Sequence, residues 1–271
     1  MLKKIAFLIL IAFHCAVFGQ LKEVKLLSWN IKDFGKTKNS EELNDIAEIV
    51  RDTDVLAIQE VVAGYGGAQA VARLTEILNR KGAKWDYVIS NPTNSPKYVT
   101  ERYAIIWKTK DIKIKNRGRL ISSLDSTIDR EPFMLELYTQ DKKIHLIDYH
   151  SRPYNKDPES EIKSLTQYAI DSLSTAPVII AGDFNVDEKM PVFEPLKQSG
   201  YRPAITGQRT TLKWKCDGND YLNYPIDNIF YSKGIEKIKG EAVDFIRFCH
   251  ELEKARKLSD HLPVLLVFRL D

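Results

Sequence analysis

Four short segments of the chain end in side chains that can bind a divalent metal or transfer a proton. They are Ala57-Ile58-Gln59-Glu60, Ile147-Asp148-Tyr149-His150, Ile180-Ala181-Gly182-Asp183-Phe184-Asn185 and Leu258-Ser259-Asp260-His261. A strand that ends on a polar residue places it at the edge of a sheet, where sites are usually built. Because the endings together supply two histidines and three site carboxylates, the sequence predicts the rim of one active site.

Glu60, Asp183 and Asn185 carry the chemistry of a metal and phosphate site. Glu60 follows a buried apolar strand, where a carboxylate is costly unless it is paired or bound to metal. Its oxygens are the hard ligands that Mg²⁺ prefers. In extended chain Asp183 and Asn185 face the same way, so one can orient a water while the other donates to a phosphate oxygen. The alternatives are a solvated strand end for Glu60 and a plain turn at residues 182–185.

Two histidines follow separate strands, and each has a carboxylate elsewhere in the chain that is able to orient its ring. His261 can stabilise a phosphate or donate a proton, and Asp227 is the candidate to fix its tautomer. Glu101 is the corresponding candidate for His150. The alternative for either histidine is a packed or surface residue with no chemical role.

Other side chains near these segments suit an anionic substrate. Arg130 and Arg152 are candidate bidentate phosphate ligands, and Lys32 is a candidate phosphate contact. Asn30, which ends the first predicted strand of the mature chain, can offer an amide to metal or phosphate. Simple solvation is the alternative for each arginine, and only the neighbouring motifs make them candidates.

Residues 1–19 have the pattern of a secretory signal peptide. Two lysines precede an apolar run over 5–13, and the small residue Gly19 precedes Gln20,. The apolar run is too short to span a bilayer. We therefore expect cleavage after Gly19 and a secreted or periplasmic protein without stable membrane association. A membrane-anchoring or buried helix is the alternative.

The composition indicates a soluble globular protein, with 44% hydrophobic and 28% charged residues among 271,. We find no linker or repeat, so residues 20–271 are expected to form one domain. Loss of Lys3 and Lys4 with the signal peptide lowers the formal net charge from +3 to +1. Bulk charge then gives no argument for nucleic acid. The mature chain keeps Cys216 and Cys249, and the sequence leaves open whether they form a disulfide.

Strand patterns outnumber helical patterns along the chain. Strands are predicted at 24–29, 55–58, 103–108, 133–138, 144–149, 178–181, 229–231 and 264–268, and helices at 43–50, 70–79 and 161–173,. The glycine-containing segment 64–67 is predicted to be a loop. This order predicts an α/β fold with two sheets packed face to face and helices outside.

With these segments in place, the chain resembles the endonuclease/exonuclease/phosphatase superfamily, and within it the deoxyribonuclease I branch, from Leu26 to Val267. The matching segments, in the family's order, are Trp29-Asn30-Ile31-Lys32-Asp33-Phe34-Gly35, Ile58-Gln59-Glu60-Val61, Glu101-Arg102-Tyr103, Arg130-Glu131-Pro132, His150-Ser151-Arg152-Pro153, Gly182-Asp183-Phe184-Asn185, Ile226-Asp227-Asn228 and Ser259-Asp260-His261. The resemblance implies a four-layer α/β sandwich of two mainly antiparallel sheets flanked by helices. It also implies phosphodiester hydrolysis assisted by Mg²⁺, with Ca²⁺ or Mn²⁺ as alternatives.

The resemblance further implies a role for each site residue. The implied metal ligands are Glu60, Asn30, Asp183 and Asp260. The implied catalytic groups are Asp183 and the pairs His150 with Glu101 and His261 with Asp227. The implied phosphate or substrate contacts are Asn30, Arg130, Asn185 and Tyr103. The chain departs from the branch at Val62, where an arginine that enters the DNA minor groove is usual, and it lacks the cysteines that the branch carries near its Asp-Phe-Asn loop.

The sequence thus predicts a secreted or periplasmic, metal-dependent and monomeric endonuclease that cleaves double-stranded DNA and leaves 5′-phosphate ends. Two alternatives keep the chemistry but change the substrate: a sphingomyelinase-like phospholipid diesterase and a sugar-phosphate phosphatase. We see no long apolar hairpin that suits a membrane substrate. A non-catalytic binding module is the remaining alternative, and the intact set of acidic residues and histidines argues against it.

Overall fold

A computed structural model describes residues 22–96, 98–173 and 175–271 of the chain. The predicted signal peptide lies outside the described residues. The strands are β1 (Val24–Phe34), β2 (Val55–Val62), β3 (Trp85–Ile89), β4 (Glu101–Lys108), β5 (Lys113–Ile114), β6 (Arg119–Leu120), β7 (Phe133–Thr139), β8 (Lys142–His150), β9 (Val178–Asp183), β10 (Arg202–Pro203), β11 (Leu212–Asp217), β12 (Asp220–Leu222), β13 (Asp227–Tyr231), β14 (Ile235–Ala242) and β15 (Val264–Leu270). The α-helices are α1 (Ser40–Val50), α2 (Tyr65–Asn79), α3 (Pro158–Ser172), α4 (Glu194–Gln198) and α5 (Leu252–Leu258).

The strands of the described chain form two large sheets and one hairpin. The first sheet has the order β14-β15-β1-β2-β4-β3, and the second has the order β10-β13-β9-β8-β7-β5, with β6 also paired to β7. Each sheet is mixed, because β1 pairs with β2 in parallel and β8 pairs with β9 in parallel, while the other pairs are antiparallel. The hairpin of β11 and β12 stands apart from both sheets.

Alternating side chains divide the sheets into buried layers, as strand geometry requires. On β1, Leu26 faces the core between the two sheets, whereas Leu27 and Trp29 face the core beneath α1 and α2. A third core lies on the far side of the second sheet, where Ile180 packs with Ile162 of α3. The layers are therefore helices, sheet, sheet and helices, which confirms the predicted α/β sandwich.

The prediction of a loop at residues 64–67 is wrong. Gly64 caps α2, which begins at Tyr65 and contains the two following glycines. A Cβ at Gly67 would lie 2.1 Å from the carbonyl oxygen of Val62. Glycine here lets the start of the helix lie directly against β2, which the sequence pattern did not reveal.

A disulfide joins Cys216 of β11 to Cys249, in the short 3₁₀ turn before α5. This settles the question that the sequence left open. The bond ties the separate hairpin to the helix that leads into the Ser259–His261 segment. Across residues 22–96, 98–173 and 175–271, no helix has the length and apolar character needed to cross a membrane.

Candidate active site

Three strands of the second sheet place one predicted site residue each side by side. In the strand register His150 of β8 is opposite Asp183 of β9, and Asp227 of β13 is opposite the same Asp183. Gly182 makes this register possible, because a Cβ there would lie 1.7 Å from the carbonyl oxygen of Tyr149,. Asp183 therefore occupies the centre of the row, with 2% of its surface exposed.

The pair of His150 and Glu101 connects the two sheets. Nδ1 of His150 lies 3.0 Å from both carboxylate oxygens of Glu101, which begins β4 of the first sheet. Burial would lower the pKa of His150, but Glu101 and Asp183 together raise that pKa above its ordinary value. The hydrogen bonds to Glu101 orient the ring so that Nε2 lies 3.5 Å from Oδ2 of Asp183.

The pair of His261 and Asp227 closes the other side of the row. Nδ1 of His261 lies 2.9 Å from Oδ2 of Asp227, and Thr210 donates to the same oxygen at 2.7 Å. Burial, reinforced by Asp183, raises the pKa of Asp227 to about 6 against the opposing effect of His261. Burial would lower the pKa of His261, yet Asp227 and Asp183 raise it to about 10. At neutral pH the pair is an ion pair.

Both histidines direct their second nitrogen at one oxygen. Nε2 of His261 lies 3.8 Å from Oδ2 of Asp183, the oxygen that His150 also approaches. The other oxygen of Asp183 accepts the backbone N–H of Asn185 at 2.9 Å, which fixes the carboxylate. A carboxylate between two histidine–carboxylate pairs can receive a proton while the imidazoles donate hydrogen bonds to a phosphate.

Glu60 is held beside this row by the first sheet. The β2 ladder shifts register between Ile58 and Val61, and Glu60 in that bulge has a left-handed backbone with φ of 60°. Such a conformation is strained for a non-glycine residue and clusters at functional sites. Asn30 Nδ2 donates to Glu60 Oε1 and to Asp183 Oδ2, each at 3.1 Å, and the backbone N–H of Asp33 donates to Glu60 Oε2. One amide therefore joins two of the predicted metal ligands.

These residues fit a divalent cation. Oδ1 of Asn30 is buried without a hydrogen-bond partner among the described residues, and an orphaned buried oxygen needs an explanation. The orientation that lets Nδ2 donate to Glu60 and Asp183 turns Oδ1 away from them. With the amide flipped, Oδ1 would join the two carboxylates as a set of hard oxygen donors. The carboxylates would also repel a substrate phosphate unless a cation lay between them.

A second set of candidate ligand atoms, on Asp183, Asp227 and His261, also lies within 4.8 Å. In that set His261 Nδ1 and the Asp227 carboxylate are already hydrogen-bonded to each other. We therefore favour the set of Glu60, Asn30 and Asp183.

Asp260, the remaining predicted metal ligand, has basic side chains as its partners. Its Oδ2 accepts a hydrogen bond from Lys32 Nζ at 3.0 Å and lies 3.6 Å from Arg256. Burial would raise the pKa of Asp260, but the neighbouring His261 and Lys32 lower it overall. The structure thus shows Asp260 as an ionised partner of two cations, and its role as a metal ligand stays a prediction.

The predicted phosphate contacts divide into two groups. Arg130 and Asn185 line the cleft and both donate to the backbone carbonyl oxygen of Ser151, Arg130 through Nη2 at 2.5 Å and Asn185 through Nδ2 at 3.2 Å. Asn185 also has a left-handed backbone, with φ of 52°. The guanidinium of Arg152 instead binds the carboxylates of Glu161 and Asp129, each at 2.9 Å. The structure does not bring Arg152 into the cleft, because these two carboxylates hold its guanidinium.

Tyr103 is likewise buried behind the cleft. Its hydroxyl donates to the carbonyl oxygen of Arg130 and accepts from the backbone N–H of His150, both at 3.2 Å. A residue without exposed surface cannot touch a substrate. The geometry therefore gives Tyr103 a positioning role for Arg130 and His150 rather than the predicted substrate contact.

The resulting cleft is open to solvent and has a volume of about 380 Å³. The predicted residues that line it are Glu60, Glu101, Arg130, His150, Asp183, Asn185 and His261. Asn30 and Asp227 lie directly behind these residues, hydrogen-bonded to them. Lys32 faces a neighbouring groove. The site is thus built from both sheets at one edge of the sandwich.

Sequence reasoning missed a buried polar group beneath the site. Asp148 has 0% of its surface exposed, and Gln59 Nε2 donates to its Oδ1 and to Ser28 Oγ. Burial raises the pKa of Asp148 to about 8, although the Gln59 hydrogen bond acts in the opposite direction. Asp148 Oδ2 has no partner among the described residues. A carboxyl group with this pKa is neutral at pH 7. The sequence signal for this group is the alternation along β8, because Ile147 and Tyr149 face the opposite side of the sheet from Asp148.

Replacing Asp148 by Asn is expected to remove a pH dependence of stability. Asp148 ionises near pH 4 in the unfolded chain and at about pH 8 in the folded protein. Between these values the folded state holds a proton that the unfolded state has lost. The free energy of unfolding therefore falls as pH rises, by up to about 1.4 kcal/mol per unit, and the fall ends above the folded pKa.

Urea unfolding of the wild type, Asp148→Asn and the exposed control Asp171→Asn at pH 5 and pH 8 measures this effect. We expect the wild type and the control to lose more stability than Asp148→Asn over that interval. An equal loss in all three proteins would show that Asp148 is ionised in the folded state.

The chain belongs to the endonuclease/exonuclease/phosphatase family, whose sequence model matches residues 27–261. Proteins of this family are phosphoesterase hydrolases, so the fold and the histidine–carboxylate cleft described above are those of such a hydrolase. The resemblance seen in the sequence motifs is thereby confirmed. A search of curated proteins found no match.

Solved structures share the fold at low sequence identity. A family protein from Bacteroides thetaiotaomicron has 19% identity and a TM-score of 0.66, covering 93% of this chain and 99% of that one. The mannosyl-6-phosphatase Bt3783 of the same organism has 16% identity and a TM-score of 0.66, covering 90% and 99%. The human Nocturnin catalytic domain with a bound sulfate anion has 17% identity and a TM-score of 0.59, covering 92% and 95%.

Proposed function

We propose that the protein is a divalent-metal-dependent nuclease that hydrolyses phosphodiester bonds in DNA and leaves 5′-phosphate ends. The observation that carries this proposal is the convergence of His150 Nε2 and His261 Nε2 on one oxygen of Asp183. A phosphodiester needs a base for the attacking water and hydrogen-bond donors for the phosphoryl and leaving oxygens. The cleft supplies both within one small volume.

In this proposal Asp183 orients the water and accepts its proton. Its carboxylate is fixed by Asn30 and by the backbone N–H of Asn185, so little rearrangement precedes the attack. His261 is an imidazolium at neutral pH because its pKa is raised to about 10, and its Nε2–H stabilises the charge that develops on the phosphoryl oxygens. His150 offers a second donor for the leaving 3′-oxygen.

Arg130 and Asn185 complete the phosphate site beside His150, where both donate to the carbonyl oxygen of Ser151. Glu101 lies 3.5 Å from Arg130 Nε and raises the pKa of the guanidinium, although burial opposes this. Glu60, Asn30 and Asp183 would hold the cation. A bound Mg²⁺ would supply Lewis-acid stabilisation of charge on the phosphate.

A substrate panel tests the proposal against its alternatives. Supercoiled DNA, single-stranded DNA, RNA, sphingomyelin and mannose 6-phosphate are incubated with the mature chain in Mg²⁺, Mn²⁺ or Ca²⁺, and in EDTA. Cation-dependent nicking of plasmid or cleavage of single strands with 5′-phosphate products supports a nuclease. Turnover confined to mannose 6-phosphate or to sphingomyelin would assign the same site to a phosphatase or a lipid diesterase.

We further propose that the protein acts as a monomer outside the cytoplasm. The disulfide between Cys216 and Cys249 supports this location, because disulfides persist in oxidising compartments. N-terminal sequencing of the protein from its native host is expected to begin near Gln20. A soluble cytoplasmic protein that retains Met1 would contradict this.

A further inference from the structure

A second concave surface adjoins the cleft and has no role in the chemistry described above. This groove, with a volume of about 740 Å³, lies between the end of β1 with the segment after it, the hairpin strand β11 and helix α5. Asp33 lines both the groove and the cleft. Lys32, on the groove side, is hydrogen-bonded to Asp260, the neighbour of His261. A chain bound across the scissile site would therefore continue into this groove.

The groove is cationic. Its basic lining residues are Lys32, Lys38, Lys215, Arg256 and Lys257, and its acidic ones are Asp33, Glu42 and Glu253. Glu42 keeps its negative charge while its carboxylate caps α1, so the lining residues carry an excess of two positive charges, which Asp260 offsets in part at Lys32 and Arg256. The positive excess is local, since the mature chain is close to neutral overall. Such a surface attracts a polyanion rather than a single phosphate monoester.

Trp214 stands in the wall of the groove with 76% of its surface exposed. The guanidinium carbon of Arg256 lies 4.7 Å from the ring centroid, so one face of the indole carries a cation and the other is available to a ligand,. Arg256 is itself fixed, because Nη1 donates to the backbone carbonyl oxygens of Leu212 and Lys213 at 2.9 and 3.2 Å. The stack is thus pre-organised.

The strand that carries Trp214 is anchored on both sides of it. Leu212 is buried against Leu252 and Ala255 of α5 in a small apolar cluster, and the disulfide joins Cys216 of the strand to Cys249 in the 3₁₀ turn before α5. Trp214 is therefore held rigidly at the surface, where its ring does not pack in the hydrophobic core. It resembles the aromatic platforms on which unpaired bases stack.

We infer that this groove binds the unpaired nucleotides that flank the scissile phosphate, with a base stacked on Trp214 and phosphates beside Lys215 and Lys257. The inference rests on the proposed nuclease function and specifies its substrate class as single-stranded nucleic acid. In a duplex both faces of each base are covered by neighbours in the helix, so Trp214 has no base face to contact. The groove therefore favours single strands over duplexes, in contrast to the double-stranded DNA that the sequence suggested.

The test compares Trp214→Ala and Trp214→Phe in the mature chain, with the exposed helix residue Lys163→Ala as control. The kcat/KM for a single-stranded 12-mer DNA is divided by the kcat/KM for bis(4-nitrophenyl) phosphate, a diester too small to reach the groove. We expect Trp214→Ala to lower this ratio about 5- to 100-fold, the usual worth of one stacked base. Trp214→Phe restores most of it, and Lys163→Ala matches the wild type.

A salt series on binding provides a second readout. Lys215→Ala is expected to flatten the salt dependence of single-strand affinity by about 0.7 in logarithmic slope, as one lost phosphate contact does. Equal loss on the 12-mer and on a matched blunt-ended duplex after Trp214→Ala, or an unchanged ratio, overturns the groove assignment while leaving the nuclease proposal intact. Absence of cleavage of any polynucleotide by the wild type overturns both.

Discussion

Glu60→Gln is expected to lower turnover by about 10²-fold or more and to weaken the response to Mg²⁺. The substitution removes a charge that stabilises a bound cation, and loss of such electrostatic stabilisation costs about that much. Glutamine also presents an amide where Asn30 Nδ2 and the backbone N–H of Asp33 both donate to Glu60. The NH₂ group of the glutamine then faces one of these two donors, so one of the two hydrogen bonds is lost.

Steady-state rates with bis(4-nitrophenyl) phosphate over a range of Mg²⁺ concentrations measure the effect on activity. Calorimetric titration with Mg²⁺ alone measures the cation site independently of turnover, and we expect weaker binding in the variant. Glu76→Gln is the matched control, because Glu76 lies on the exposed face of α2 in an ion pair with Arg80. Unchanged Mg²⁺ binding in Glu60→Gln, or full activity in excess EDTA, would show that Glu60 is not the ligand of a required metal.

The pair of His261 and Asp227 should behave as one unit in a double-mutant cycle. His261→Ala is expected to lower turnover about 10²- to 10⁴-fold, the range for a lost acid–base group. Asp227 raises the pKa of His261 and fixes its ring through Nδ1. Adding Asp227→Ala to His261→Ala should therefore cost little more than His261→Ala alone. The same reasoning applies to His150 and Glu101.

The cycle needs a histidine–carboxylate pair outside the cleft as its control. His145 is buried near the start of β8, with Nδ1 3.8 Å from Glu136. Removing it should change stability but not the shape of the pH–rate profile. Circular dichroism first establishes that each variant is folded. If the effects of Asp227→Ala and His261→Ala multiply independently, the two side chains do not act as a pair.

The sequence predicted the positions of the site strands because their signals are local. The apolar runs before Glu60, His150 and Asp183 read as buried strands with polar ends, and those strands are present. The backbone strain of Glu60 and Asn185 was not predictable, since their left-handed conformations follow from a bulge and from packing at the sheet edge. Weak periodicity explains the strands that were missed. Four successive residues of β14 are exposed, so no alternation marks it.

Residue types alone could not distinguish substrate contacts from internal ion pairs. Arg130 and Arg152 are equally plausible phosphate ligands by composition. In the fold Arg152 pairs with Glu161 and Asp129 outside the cleft, whereas Arg130 lines the cleft although it lies 3.5 Å from Glu101. The sequence likewise predicts Asp260 as a metal ligand but gives no sign that Lys32 and Arg256 lie beside it. Such assignments depend on partners far apart in the chain, and only the three-dimensional packing determines them.

The most direct test of the account is the cleavage of an end-labelled single-stranded DNA by the wild type and by Asp183→Asn in Mg²⁺. Asp183 is the residue on which both histidines and Asn30 converge. We predict wild-type products with 5′-phosphate and 3′-hydroxyl ends, and a folded Asp183→Asn protein at least about 10²-fold slower. Wild-type rates in Asp183→Asn, or rates unaffected by EDTA, would contradict the proposed site and its chemistry.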